Sequence, residues 1–171
     1  MNDYYHKQQQ CEYYDIVNAL IADLVDADPT LQSIIDVGCW KSRELERWNV
    51  KHKTAFDFWE MPEFSGAECI QGDLTTYNFL KQEWDIVVCL QVLEHIKKVE
   101  LAIANLFSIA SSYVIISLPY KWPKGKEPGH VHDPIDSEKL LDWFAQIKPI
   151  WHISSAMLCD DKSRIIYVFK R

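Results

Sequence analysis

Trp84-Asp85-Ile86-Val87-Val88-Cys89-Leu90-Gln91-Val92-Leu93-Glu94-His95-Ile96 is the stretch on which the fold turns. A single acid is followed by an unbroken apolar run from Ile86 to Leu90. That pattern suits a central parallel strand buried on both faces. Downstream, Ile96, Val99, Ile103, Leu106, Phe107 and Ala110 recur at helical spacing. Tyr113 to Leu118 is another β-branched strand, stopped by Pro119. Asp136-Ser137-Glu138-Lys139 opens a further helix, capped by Asp136 or Ser137, with Leu140, Leu141 and Phe144 expected on one face. Ile150 to Met157 and Arg164 to Phe169 read as two final strands joined by the charged turn Cys159 to Ser163. No helix fits between them, so they form a hairpin and place one antiparallel strand in the sheet.

Upstream, Ile16, Val17, Leu20, Ile21, Leu24 and Val25 make one helical stripe between Asp15 and Asp26. Asp28-Pro29 ends it, because the residue before proline is pushed out of the α region. Residues 1–28 therefore read as an N-terminal helical cap. Ser33 to Val37 is a short buried strand ending at Gly38, Arg43 to Val50 a short helix, and Lys53 to Phe58 and Ala67 to Ile70 brief strands. Strands alternating with helices predict one α/β domain over residues 1–171, a doubly wound and mainly parallel sheet. Ligands are then expected at the carboxyl ends of the strands.

Composition narrows the partners. The 171 residues hold 18 Lys and Arg against 25 Asp and Glu, a net charge of −7. That sign argues against a general binder of nucleic acid or anionic membranes. Five scattered cysteines, odd in number and without a CxxC pair, point to a reducing, cytoplasmic setting without disulfides or structural zinc. The first residues carry an acid and lack the apolar core of a signal peptide. No apolar stretch approaches the roughly 20 residues a membrane span needs.

Three acids follow strands directly. Asp36 lies just ahead of Gly38, Asp57 follows the second strand, and Asp73 follows the third. Gly38 and Asp57 are 19 residues apart, the spacing at which an acid in a doubly wound sheet accepts hydrogen bonds from ribose hydroxyls. Helix capping is the plain alternative for any one of them alone.

Ile35-Asp36-Val37-Gly38-Cys39, Ala55-Phe56-Asp57, Gln71-Gly72-Asp73-Leu74 and Trp84 to Ile96 resemble the successive motifs of class I S-adenosylmethionine-dependent methyltransferases. The likeness spans nearly the whole chain. Ile116 to Tyr120 and Gly129 to Pro134 resemble small bacterial members that modify sugars or polysaccharide precursors. The resemblance implies a seven-stranded Rossmann-like methyltransferase fold with an antiparallel C-terminal strand, and S-adenosylmethionine as cofactor. It places Asp36, Gly38 and Cys39 at the first cofactor loop, with Gly38 against the methionine moiety. Asp57 then binds the ribose with Phe58 near the adenine, Asp73 takes the adenine amino group beside Leu74, and Leu90 and Gln91 line the methionine end.

The first loop departs from the family's D-x-G-x-G-x-G: Trp40 and Ser42 stand at the second and third glycines. Trp40 either fills the cofactor pocket or swings out to wall one side. Methyl transfer to a hydroxyl also needs a base, for which histidine suits. His130 and His132, in the loop after the fifth strand, are the catalytic candidates. His95 faces the same rim with Glu94 beside it, His6 belongs to a segment that folds over the site as a lid in this family, and His52 and His152 read as structural. Two imidazoles and a carboxylate in His130-Val131-His132-Asp133 suit zinc or iron, but the segment offers no further ligands at metal spacing, so no metal is expected. Lys121, Lys124 and Lys126 cluster with Trp122 as a candidate patch for a phosphate, the indole offering a flat face to a sugar or base.

The sequence therefore points to an S-adenosylmethionine-dependent O-methyltransferase acting on a sugar, a sugar acid or a nucleotide-sugar. A small acceptor, anionic or sugar-containing, is expected, and a homodimer is compatible. A non-catalytic binding or regulatory subunit with a degenerate glycine loop is the alternative. A nicotinamide-linked oxidoreductase is disfavoured by the missing G-x-G-x-x-G.

Overall fold

A computed structural model of the protein describes residues 11–79, 82–147, 149–160 and 162–171. In chain order the elements are α1 (Glu12–Ala27), β1 (Ser33–Val37), α2 (Glu44–Arg47), β2 (His52–Asp57), β3 (Ala67–Gln71) and β4 (Trp84–Leu90). A 3-10 turn (Leu93–His95) leads to α3 (Val99–Ser108), β5 (Ala110–Pro119), α4 (Ser137–Phe144), β6 (His152–Cys159) and β7 (Arg164–Lys170). The seven strands lie in the order β3-β2-β1-β4-β5-β7-β6. Pairing is parallel from β3 through β5, while β7 runs antiparallel to both β5 and β6. Strand order reverses between β1 and β4, where doubly wound sheets open their ligand crevice.

Alternation along the central strands divides the core in two. Val87 and Cys89 of β4 face a cluster completed by Val99, Ile103 and Leu106 of α3 and by Trp143 of α4. Ile86, Val88 and Leu90 face Tyr13, Val17 and Ile21 of α1. Each such side chain contributes about 1.5–3 kcal/mol on burial, which is why β4 carries no polar residue between Asp85 and Gln91. At the amino-terminal edge the Asp85 carboxylate ties three neighbouring strands together. Its Oδ2 accepts from the backbone N–H of Gln32 and Ser33 and from Ser33 Oγ (2.8–2.9 Å), and its Oδ1 from Ser111 Oγ at 3.1 Å.

Local differences from the sequence reading have identifiable causes. The helix expected over Arg43–Val50 shortens to one turn, because Trp48 turns inward, is 3% exposed and donates its indole N–H to Asn18 Oδ1 on α1 at 2.7 Å. The helix expected from Ile96 begins at Val99, after the 3-10 turn. On α4, Leu140 and Trp143 share the buried face, whereas Leu141 is turned about 100° away and is 71% exposed. Tyr4, Tyr5 and His6, with the first part of the cap, lie outside the described residues. Among those described, no helix is long and apolar enough to cross a membrane.

Candidate functional site

A cleft of about 740 Å³ opens at the carboxyl ends of β1 to β4. Val37, Gly38 and Trp40 line it from β1, and Phe56, Asp57, Phe58 and Trp59 from β2. Gly72, Asp73, Leu74, Thr75 and Thr76 line it from β3, and Gln91, Val92, His95, Ile96, Lys97 and Lys98 from β4. A parallel sheet delivers these residues together because each strand ends at the same edge before its chain turns back.

At the first bend Gly38 has φ 83°, and a Cβ there would stand 2.2 Å from Val92 Cγ2. Glycine is thus required by backbone conformation and by packing. Trp40 also takes a positive φ of 43°. Its backbone N–H donates to Asp57 Oδ2 at 2.8 Å, and Lys41 Nζ lies 5.3 Å from its ring centre. The indole, 40% exposed, forms part of the cleft wall and leaves the volume open.

Asp57 Oδ1 accepts from the Trp59 N–H at 2.8 Å. Burial raises the carboxyl above its ordinary range, opposed by the Trp59, Trp40 and Phe58 N–H groups. Phe58 and Trp59 meet edge-on at 5.1 Å on the rim and are mostly exposed. Asp73 Oδ1 accepts from both the backbone N–H and the hydroxyl of Thr75 at 2.8 Å, fixing the turn after β3. Gln91 is held at φ 56°, its amide donating to Ser117 Oγ and its carbonyl accepting from Arg164 Nε, each at 3.2 Å.

Of the residues singled out from the sequence, Gly38, Asp57, Phe58, Asp73, Leu74 and Gln91 meet in this cleft. Asp36, Cys39 and Leu90 do not line it. Cys39 and Leu90 are buried on the α1 side of the sheet, with Cys39 Sγ 3.3 Å from Met61 Sδ. Asp36 is buried in β1, where burial first, then Asp57 and Glu44, pushes its carboxyl up to about 8.

Neither His130 nor His132 lines the cleft. His132 Nε2 is 2.8 Å from the Ile96 carbonyl, and its ring meets Trp143 edge-on. The His130 side chain, only 4% exposed, bonds through Nδ1 to Asp133 Oδ2 at 2.8 Å. The histidine that does reach the cleft is His95, whose ring packs edge-on against His130 at 4.7 Å and whose Nδ1 is 3.1 Å from the Gly129 carbonyl. Burial lowers its pKa. Trp122 is engaged elsewhere: it stacks on His130, Lys126 Nζ lies 3.7 Å from its centre, and its N–H donates to the Ser163 carbonyl. The cations lining the cleft are Lys97 and Lys98, not Lys121, Lys124 or Lys126. Their position directly after the strand-turn motif was the sequence signal for them.

The cleft suits an adenosyl sulfonium. Its volume lies within the usual range for cofactor sites. Gly38 offers backbone without a side chain, Asp57 and Asp73 lie on adjacent strand ends, and Phe58 gives an aromatic face at the rim. Residues 35–112 match the family model described as a methyltransferase domain. No curated protein matches the chain. Among solved structures, the N-methyltransferase NodS from Bradyrhizobium japonicum WM9 with S-adenosyl-L-homocysteine superposes with a TM-score of 0.73 at 14% identity, over 99% of this chain and 93% of that one. CalS10, an amino pentose methyltransferase from Micromonospora echinaspora with S-adenosylmethionine bound, gives 0.69 at 13%, over 97% and 94%. The 4+2 cyclase SpnF gives 0.64 at 12%, over 90% and 80%. The chain shares the fold of these structures, two of which hold S-adenosylhomocysteine or S-adenosylmethionine.

Proposed function

We propose that the protein moves a methyl group from S-adenosylmethionine to an oxygen of a small acceptor: a sugar, a sugar acid or a nucleotide-sugar. The observation that carries the reading is the open cleft holding Gly38, Asp57 and Asp73 at three successive strand ends. Asp57, already aligned by two backbone N–H groups, presents its remaining acceptor capacity to ribose hydroxyls. Gly38 admits the amino-acid end of the donor. When bound, that donor supplies an electrophilic methyl on a sulfonium.

An acceptor oxygen forms its bond to the methyl carbon as the carbon–sulfur bond breaks. The sulfur keeps that electron pair as a neutral thioether, and one proton leaves the acceptor. The protein's part is alignment and exclusion of water. For a hydroxyl acceptor the proton leaves to water at the rim of the cleft that His95 borders. Lys97 and Lys98 beside it favour an anionic acceptor in a chain of net charge −7. Because a cyclase shares the fold, architecture alone does not select the chemistry. Calorimetry with S-adenosylmethionine and S-adenosylhomocysteine separates the readings. Saturable binding of both, followed by labelled methyl transfer to a sugar acceptor, is expected. Absence of binding at millimolar donor leaves the non-catalytic subunit instead.

A further inference from the structure

Behind the cleft wall lies a group of side chains whose bonding is incomplete. Glu94 is fully buried, yet neither of its carboxylate oxygens has a partner among the described residues, and Asp133 Oδ1 is in the same position. Leaving such groups unsatisfied is costly, and buried carboxylates are normally paired or bound to a metal. One atom each from Glu94, His95 and His130 lies within 4.8 Å of the others, with His130 Nε2 3.9 Å from Glu94 Oε1. That gap is too long for a hydrogen bond. It is close to the separation of two ligands around a divalent ion with bonds of roughly 2.0–2.2 Å.

The surroundings orient both imidazoles. Asp133 Oδ2 takes the Nδ1 proton of His130, which leaves the Nε2 lone pair directed toward Glu94. This is the carboxylate–histidine pairing that supports metal-bound imidazoles. The Gly129 carbonyl likewise takes Nδ1–H of His95, leaving Nε2 as its donor atom. Two neutral nitrogens and one carboxylate suit a divalent transition ion and leave coordination positions open. His95, exposed at the rim, connects the cluster with the cleft.

We propose that Glu94, His95 and His130 form a divalent transition-metal site, oriented by Asp133, that His95 connects to the cleft. The sequence reading sought all the ligands in the single segment 130–133, whereas folding brings two of them from residues 94 and 95. Resting on the methyl-transfer reading, the ion's task is to bind the acceptor oxygen and ease loss of its proton to water. The test uses the full chain stripped with a chelator and titrated separately with Mn²⁺, Co²⁺ and Zn²⁺, without methyl donor. One ion per chain is expected, with a Co²⁺ absorption spectrum showing nitrogen ligation. Glu94→Gln and His95→Gln each weaken binding more than tenfold, and Asp133→Asn weakens it about 10–100-fold. His52→Ala, at the opposite edge of the sheet, leaves it unchanged. No ion uptake by the wild-type chain, or undiminished uptake by His95→Gln, overturns the site; His95 is a rim residue, so its variant reports even if Glu94→Gln fails to fold. S-adenosylhomocysteine binding measured on the stripped chain keeps the failure of this site distinct from failure of the donor cleft.

Discussion

Gly38 answers two constraints at once, a positive φ and the Val92 side chain filling the space a Cβ would need. Gly38→Ala is therefore expected to destabilise the chain by about 1–3 kcal/mol through overpacking and left-handed strain, and to weaken S-adenosylhomocysteine binding. Urea melts and calorimetry check both. Residues of this kind were legible because a strand end followed by Gly or Asp needs only local sequence to be recognised. His130 was not. Its inward turn depends on Asp133 and on Glu94, 36 residues earlier, so the sequence placed it at a rim that His95 occupies. Nor could spacing decide the orientation of the Trp40 indole. The Asp57 carboxylate holds only the Trp40 backbone N–H, at a positive φ that spacing does not announce.

At the scale of elements, the turn from β4 into α3 supplies the cleft with His95, Lys97 and Lys98. Replacing Lys97 and Lys98 by Glu is expected to raise KM for an anionic acceptor about tenfold while the donor dissociation constant stays unchanged, as for charges that steer and hold a ligand at an exposed wall. Steady-state kinetics with charged and neutral acceptors distinguishes this from loss of the fold. The strands were readable because burial on both faces leaves unbroken apolar runs, and the hairpin because no helix fits between β6 and β7. Short helices were less so. α2 ends where Trp48 finds Asn18 across space, and Leu141 shows how an apolar residue one position off the buried stripe reaches solvent.

For the molecule as a whole, Asp36 imposes a pH dependence on stability. Its carboxyl rises from an ordinary value of 3.8 to about 8 in the fold. Across that interval the folded chain keeps a proton that the unfolded chain has released. Stability from this group therefore falls as pH rises, by up to about 1.4 kcal/mol per pH unit, and levels off above about 8. Asp36→Asn is expected to flatten a plot of unfolding free energy against pH between 4 and 8. The flattening is partial, because Glu94, also pushed up to about 8 by burial, titrates in the same sense. Denaturant melts at a series of pH values measure it.

Asp85 fastens β1, β4 and β5 at the edge away from the cleft. That end works like the rivet of a fan: strand register is settled there, while the ribs open freely at the other end. Changes in the loops at the opposite end of the strands therefore leave this tie between β1, β4 and β5 untouched.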